Sequence, residues 1–371
     1  MANTTTNSDL RVKKFLAEFF EEYIRKSRFS RYTGEGNNNV ICIKEGLQQI
    51  VIPLVTRLLG SGVSGSQTLR GNGEAISNYG LTLTPSHIRH AVEHDLEELE
   101  KPAIDLMEAS RGLLMEWAKE RTRDDIINAL GAIYDGTTYA NMGTATAAAK
   151  DTWVTNNSDR ILYGATKSNL TSGDHTTSLA TIDTTNDKMT AAMTTLAKRM
   201  AQNASPHIRP IKTSEDEEMF IMFHDPFAFR NLKTDSVMTQ ANREALERGK
   251  DNPIFSGGDL LYDGVIHREI PEIATMIDGT ASNGAWGASA VSDSLATAGA
   301  SSSRVGVSFL CGQQAVSYGL GKRPNIVVDK TFDYGFQPGV AIQLKHDIRK
   351  SYFNNKQHGV VTVFSSAAVD A

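Results

Sequence analysis

Three histidines are the strongest candidates for chemistry in this chain. His87, His90 and His94 follow one another at spacings of three and four residues, and Glu93 and Glu97 lie among them. Imidazole and carboxylate groups are side chains with which proteins bind zinc. The cluster therefore raises the hypothesis of a metal-dependent enzyme.

The element expected to carry these histidines is a helix beginning at Thr84-Pro85. A hydroxyl residue followed by proline is typical of a helix start. Residues at i, i+3 and i+7 share one face of such a helix. The HExxH motif of zinc proteases is absent, and no carboxylate relay is evident. We therefore favour exposed histidines on a charged helix, and keep the metal site as the alternative.

Other motifs offer less chemistry. The glycine-rich segment 60–73 lacks the lysine of a phosphate-binding loop and precedes a predicted strand, so a nucleotide cradle is disfavoured. Cys42 and Cys311 lie far apart with no metal-ligand spacing, which predicts reduced packing residues. No nucleophile–base pair or cofactor fingerprint is evident. We expect no catalytic residue, no cofactor and no metal.

Composition sets limits on partners. The 371 residues carry a formal net charge of only −5, which implies neither a strongly basic nor a strongly acidic partner. The polar residues 1–9 predict no secretion signal. The longest apolar run, 50–55, contains Pro53 and is too short to span a bilayer. These features predict a protein that works in water, without a membrane partner.

The chain is organised around a long predicted helix over 102–134. Apolar residues recur there at spacings of three, four and seven, as on one face of a helix. A rod of that length, roughly 50 Å at about 1.5 Å per residue, is more than an ordinary globular domain needs. Two shorter helices broken near Arg123 are the alternative.

Two appendages precede this helix. Residues 10–25 show an amphipathic helical pattern with an apolar stripe that includes Phe15, Phe19 and Tyr23, and this stripe needs an acceptor surface. Two β-rich runs, 48–59 and 75–84, flank the glycine-rich segment. They predict a long hairpin that projects from the body.

The remainder alternates between helical and strand-like patterns. Residues 137–185, rich in Thr, Ala, Asn and Ser, are expected to be a surface excursion. A buried strand is predicted over 219–223 and a short helix over 312–319. Alternating strands are predicted at 340–344 and 359–364.

In this order of elements the chain resembles the major capsid proteins of tailed bacteriophages with the Hong Kong 97-type (Johnson) fold. Local phrases support the resemblance: Gly65-Ser66-Gln67-Thr68-Leu69-Arg70-Gly71-Asn72, His224-Asp225-Pro226, Leu232-Lys233-Thr234-Asp235, Asn252-Pro253-Ile254-Phe255-Ser256-Gly257, Cys311-Gly312-Gln313-Gln314-Ala315 and Asp333-Tyr334-Gly335-Phe336. Each phrase is weak alone. Their shared order is the more specific signal.

The resemblance implies an α+β fold with a defined division of the chain. It comprises an N-terminal arm (1–39), an extended hairpin loop (40–84), a peripheral domain (85–215) with the spine helix 102–134 and the insertion 137–185, an axial domain (216–345), and strands that return to the peripheral domain (346–371).

The resemblance also implies a function and partners. The chain would self-assemble as homo-hexamers and pentamers of an icosahedral shell, in the host cytoplasm, around double-stranded DNA held without sequence specificity. A separate scaffolding protein, a portal and a decoration protein are implied partners. No lysine lies between Gly46 and Pro85, which argues against lysine–asparagine cross-linking through the hairpin. A cellular nanocompartment shell, which shares the fold, is the alternative.

The arm and the hairpin are expected to mediate assembly. A projecting hairpin buries too little surface to be stable alone and gains order on a neighbour. Many modest contacts then stabilise a shell together. The candidates lie in the arm and at the hairpin tip: Phe15, Phe19, Tyr23, Gly60, Gly62, Gly65, Leu69, Arg70, Gly71 and Asn72.

Overall fold

The structure is a computed structural model that describes residues 27–46, 48–58, 60–100, 106–212, 217–246, 260–279, 286 and 294–369. Its helices, in chain order, are α1 (Leu96–Glu100), α2 (Leu106–Gly131), α3 (Ala147–Asn156), α4 (His175–Ala180), α5 (Ala191–Asn203), α6 (Pro226–Thr234), α7 (Ser236–Leu246) and α8 (Glu272–Ile277).

The strands are β1 (Thr33–Gly34), β2 (Ile41–Glu45), β3 (Ile50–Val55), β4 (Asn78–Leu83), β5 (Ser86–Glu93), β6 (Ile133–Tyr134), β7 (Tyr139–Ala140), β8 (Ile161–Tyr163), β9 (Ile211–Lys212), β10 (Glu218–His224), β11 (Leu260–Tyr262), β12 (Val265–Glu269), β13 (Val305–Cys311), β14 (Val316–Asp329), β15 (Gly339–Lys350), β16 (Tyr352–Phe353), β17 (Lys356–Gln357) and β18 (Val360–Ser366).

These elements form two compact units. The first contains His87–Glu120 and Lys322–Lys345, and the second contains Arg28–Ser86, Arg121–Gly321 and His346–Ala371. Helix α2 and strands β14 and β15 each contribute residues to both units.

In the first unit, the start of α2 packs on a sheet. Strand β15 lies between β14 and β5. Its even-numbered side chains join those of α2 in one apolar cluster, since alternate residues of a strand share a face. The buried members are Leu114, Ala118, Val340, Ile342 and Leu344.

The second unit is built on a mixed seven-stranded sheet in the order β11-β12-β10-β13-β18-β8, with β9 paired to β10. Every residue of β13 and β18 is buried, as expected for strands covered on both faces. Phe223 and Phe309 belong to one apolar cluster, with the end of α2. Phe220 and Leu310 belong to the other, with α5 and α6.

Helix α2 runs without a break through Arg123, so the alternative of two helices does not hold. It ends at Gly131, because Ile133–Tyr134 then pair with Tyr139–Ala140 as a short hairpin. Its 26 residues span about 39 Å. Residues 102–105 of the predicted helix lie outside the described residues.

Three sequence predictions are corrected. Residues 86–93 form a strand instead of the predicted helix. The predicted helix over 312–319 is wrong, because Val316 begins β14 and pairs in parallel with Ile41 of β2. Residues 137–185 are not a surface excursion, because Trp153, Leu162 and Leu179 are fully buried.

The predicted domain boundaries do not coincide with the boundaries of these two units. The seven-stranded sheet joins β8, β10 and β18, and so draws on residues from both sides of the predicted boundary at 215/216. Strand β2, which the prediction assigned to the extended loop 40–84, pairs with β1 and β14. The family's domain names stay a prediction.

Candidate assembly surface

The projecting hairpin consists of β3 and β4, which form a separate two-stranded sheet. Six residue pairs join them, from Ile50 opposite Leu83 to Val55 opposite Asn78. A two-stranded hairpin is marginal in water unless another surface covers it. Its apolar side chains are therefore the first place to look for a contact surface.

Several apolar side chains of β3 and of the connection lie open to solvent, whereas Leu81 and Leu83 of β4 are buried. Val51, Val55, Leu58, Leu69 and Ile76 are each between 58% and 71% exposed. Clustered exposure of large apolar side chains is typical of interaction sites. Of these residues, only Leu69 is among the assembly candidates predicted from the sequence. The signal for Val51 and Val55 was the uninterrupted apolar run of β3, which leaves no polar face for water.

All the predicted tip residues lie in the connection between the two strands and are exposed: Gly60, Gly62, Gly65, Leu69, Arg70, Gly71 and Asn72. Gly62, Gly65 and Gly71 have φ angles of 71°, 70° and 92°, a region that favours glycine. The Glu74 carboxylate accepts a hydrogen bond from the Gly60 N–H at 2.7 Å, which joins the two sides of the connection.

A local turn shapes the segment around Asn72. Its side-chain amide donates to the Thr68 carbonyl at 2.8 Å, and its backbone N–H donates to the Leu69 carbonyl at 3.1 Å. The predicted arm residues Phe15, Phe19 and Tyr23 lie outside the described residues.

The three histidines do not meet. On β5, His87 and His90 differ by an odd number of positions and point to opposite faces of the sheet. The His90 ring lies 4.7 Å from the Trp117 ring. The predicted helix was wrong because Ile88 and Val92, two positions either side of His90, pack in the cluster beneath α2.

His94 is engaged in a hydrogen bond of its own. Its Nε2 atom lies 2.9 Å from Ser110 Oγ, and that hydroxyl donates its proton to the Leu106 carbonyl at 2.7 Å. Because the serine has one proton, His94 Nε2 must be the donor and cannot bind a metal there. Across the described residues, no group of three His, Cys, Asp or Glu is arranged to hold a metal ion.

A buried relay was missed in the sequence analysis. Ser308 Oγ lies 2.9 Å from His224 Nδ1, and His224 Nε2 lies 2.8 Å from His267 Nδ1. This order of groups resembles a catalytic relay. All three side chains are fully buried, so no substrate can reach them. Burial lowers the pKa of both histidines, that of His267 to about 3, and keeps them neutral.

A groove of about 530 Å³ lies in the second unit. Four residues of strand β4 line it, together with three tyrosines from other parts of this unit: Tyr134, Tyr139 and Tyr352. Arg349 lies over the Tyr139 ring at 5.4 Å.

None of the helices that the structure describes is long and apolar enough to cross a membrane.

Similarity to known proteins identifies the family to which this architecture belongs. Residues 3–369 match the family model described as phage capsid protein. The major capsid protein of Pseudomonas phage KPP25 is 26% identical over 336 residues, which cover 85% of this chain and 83% of that protein.

Solved structures agree. The chain resembles a chain of the cyanophage Pam1 capsid asymmetric unit with a TM-score of 0.88 and 33% identity, over 100% of both chains. It resembles the capsid of Ralstonia phage GP4 with a TM-score of 0.71 and 22% identity, again over 100% of both chains. The resemblance stated from the sequence is thus confirmed: this chain belongs to the phage capsid protein family, as a major capsid protein of the Hong Kong 97-type fold that forms the shell of a tailed phage.

Proposed function

We propose that this chain assembles into hexamers and pentamers of an icosahedral shell, and that its hairpin lies on a neighbouring copy. The single observation that carries the proposal is the exposure of large apolar side chains along β3 and the hairpin connection, such as Val51, Val55 and Leu69. When a neighbouring copy covers these side chains, the contact gains about 25 cal/mol of free energy per Å² of apolar surface removed from water.

Further parts of the proposal rest on the family resemblance and on charge. The shell would enclose double-stranded DNA without sequence specificity. A chain of net charge −5 would contain the DNA without binding its phosphates tightly, because tight phosphate binding requires an excess of Lys and Arg. The arm, with Phe15, Phe19 and Tyr23, would give a second contact to neighbours. A scaffolding protein, a portal and a decoration protein are proposed partners, with assembly in the host cytoplasm. We propose no catalytic activity.

The nanocompartment alternative receives no support from the relatives described above, each of which is a phage capsid. The metal-enzyme alternative loses its geometric basis with His87 and His90 on opposite faces of β5.

Mass measurement and electron microscopy of the purified chain test the proposal. We expect species of five and six copies of the 40.4 kDa chain, and closed shells once the scaffolding protein of the same phage is added. The triple variant His87→Ala, His90→Ala, His94→Ala should form particles of the same size, because assembly does not depend on a metal at these histidines. A chain that stays monomeric under all conditions would contradict the proposal.

A further inference from the structure

Basic residues are unevenly distributed along this chain. Three segments, 160–173, 188–214 and 351–369, contain eight Lys and Arg residues and no Asp or Glu. In the whole chain the acidic residues are the more numerous, 43 against 38. Segments that carry a single sign of charge are typical of surfaces that bind a partner of the opposite sign. All three segments belong to the second unit.

The fold brings cations of two of these segments to the residues that follow α5. The Pro206 carbonyl accepts a hydrogen bond from Arg160 Nη2 at 2.7 Å, and the Ser205 carbonyl accepts one from Lys356 Nζ at 3.2 Å. Asp159 lies 3.4 Å from the first cation and 3.8 Å from the second, and offsets part of their charge. Residues distant in sequence thus meet at the end of α5.

A pocket of about 270 Å³ lies at the same end of α5, and we call it the basic pocket. Its lining residues are Lys167, Leu196, Arg199, Met200 and Asn203. Two of them are cations and one is an exposed amide, whereas Leu196 is half-buried and Met200 is buried. Apolar walls of low dielectric constant strengthen the field of nearby charges. The pocket therefore combines positive charge with a hydrogen-bond donor.

The two cations of the basic pocket are available to a ligand. Lys167 and Arg199 are exposed, and neither forms an ion pair or a side-chain hydrogen bond with another residue that the structure describes. The adjacent Lys198 differs, because its Nζ atom lies 2.9 Å from Asp263 Oδ1. An anion that enters the pocket would thus meet two cations that it need not take from a carboxylate.

One carboxylate limits the strength of such binding. Asp187 accepts hydrogen bonds from the Ala165 N–H at 2.7 Å and from the Asn169 amide at 3.2 Å, and these two residues flank Lys167 in sequence. Its side chain is buried, so it offsets part of the local charge without reaching the pocket opening. We therefore expect weak, reversible binding of an anion.

We propose that the basic pocket binds backbone phosphates of the DNA inside the shell. Lys167 and Arg199 would pair with phosphate oxygens, and the Asn203 amide would donate a hydrogen bond to them, as such side chains do in contacts with the DNA backbone. The face of the seven-stranded sheet on which α5 packs would then line the interior of the shell. The inference rests on the proposed shell function and deepens it with a contact site for the DNA.

The choice of duplex phosphate follows from what the basic pocket offers. None of its five lining residues is aromatic, whereas sites for unpaired bases use aromatic side chains on which the bases stack. Duplex DNA presents one negative charge per about 1.7 Å of helix axis, so a small cationic pocket meets a phosphate wherever the duplex passes. DNA is also the polyanion that the proposed shell contains. Contact with one or two phosphates per subunit agrees with a chain of net charge −5, which does not bind DNA tightly.

Acetylation of lysines in complete heads tests the inference. Heads filled with DNA, and the same heads after release of their DNA, are treated with acetic anhydride, and modification of Lys167 is followed by mass spectrometry. We expect Lys167 to react at least about threefold more slowly in the filled heads, because phosphates pair with its amine. The shell is common to both samples, so contacts between subunits cannot cause the difference. Equal rates would overturn the inference.

Two double variants give a second readout, the binding of unassembled protein to a short DNA duplex at several salt concentrations. Lys167→Gln with Arg199→Gln should make the slope of log K against log salt shallower by about two, or about one for each cation removed. Lys322→Gln with Lys330→Gln is the matched control, since it makes the same change in net charge at two exposed lysines outside the three basic segments. The control should keep the slope of the wild-type protein. A pocket variant that also keeps this slope would overturn the inference.

The remaining outcomes separate this inference from the proposed function. A polyglutamate peptide that binds the wild-type protein more tightly than a duplex of equal charge, and loses this binding in the pocket variant, would assign the pocket to an acidic protein segment and overturn the inference. Shells that form normally while Lys167 reacts equally with and without DNA would overturn the phosphate contact and leave the shell function intact. Failure of the wild-type chain to form any shell would contradict the proposed function itself.

Discussion

Arg304 and Asp225 form a bidentate ion pair inside the second unit. Nη1 lies 2.9 Å from Oδ2 and Nη2 lies 3.0 Å from Oδ1, with both side chains almost completely buried. Burial raises the pKa of the Asp225 carboxyl, and the hydrogen bonds from Arg304 act against this rise. Asp225 also caps α6 by accepting from the Ala228 N–H.

Arg304→Met should therefore destabilise the free subunit by about 3–5 kcal/mol, because it leaves a buried carboxylate without its partner. Denaturant unfolding of unassembled protein measures the loss. Lys198→Met is the matched control, since Lys198 and Asp263 are 2.9 Å apart but partly exposed. Its cost should stay below about 1 kcal/mol. Equal costs for the two variants would contradict this interpretation of the buried pair.

The His224–His267 pair predicts an acid-sensitive stability. Both histidines keep depressed pKa values in the folded state, that of His267 at about 3 against an ordinary 6.5. The unfolded chain therefore binds protons below pH 6.5 while the folded one does not. The contribution of these two histidines to the free energy of unfolding should be constant above about pH 7 and should fall by about 1.4 kcal/mol per pH unit for each histidine as the pH drops towards 3.

Unfolding free energies of the unassembled subunit, measured between pH 7 and pH 4, test this slope. His267→Asn removes one titrating group and should give a shallower decline than the wild-type protein. A His267→Asn variant with an unchanged slope would show that other groups dominate the acid response.

Replacing either of two glycines of α2 by alanine should change the free energy of unfolding, in opposite directions for the two sites. A Cβ atom at Gly131 would overlap Trp286, whereas nothing lies within 4 Å of one at Gly112. Gly131→Ala should cost about 1–3 kcal/mol by overpacking. Gly112→Ala should gain about 0.5–1 kcal/mol, because glycine is unfavourable inside a helix. Thermal or denaturant unfolding compares them, and a stabilising Gly131→Ala would refute the close packing of Trp286.

The sequence predicted those elements whose pattern has one explanation. Helix α2 follows from apolar spacings of three and four, and the hairpin follows from two β-rich runs around a glycine-rich connection. The helix predicted for residues 86–93 was wrong, because the histidines there repeat at helical spacing while Ile88 and Val92 fit a strand. Packing beneath α2 decided between the two, and no local pattern contains that information.

The groove could not have been predicted. Its walls come from 79–82, 134–139 and 349–355, which only the fold brings together. The buried relay of Ser308, His224 and His267 likewise joins three strands distant in sequence. The location of the tip residues in a connection was predictable, because glycines such as Gly62 and Gly65 are typical of turns, where φ is positive. Their role in assembly stays a prediction.

Deletion of residues 60–73 is the most direct test of the central claim that the hairpin is completed by a neighbouring copy. None of these residues is buried, so the deleted subunit should fold and remain in solution. A control with Ser61→Ala and Ser64→Ala keeps the length of the connection. By negative-stain electron microscopy under assembly conditions, we expect regular shells from the wild-type protein and the control, and none from the deletion. Normal shells from the deletion variant would contradict the account.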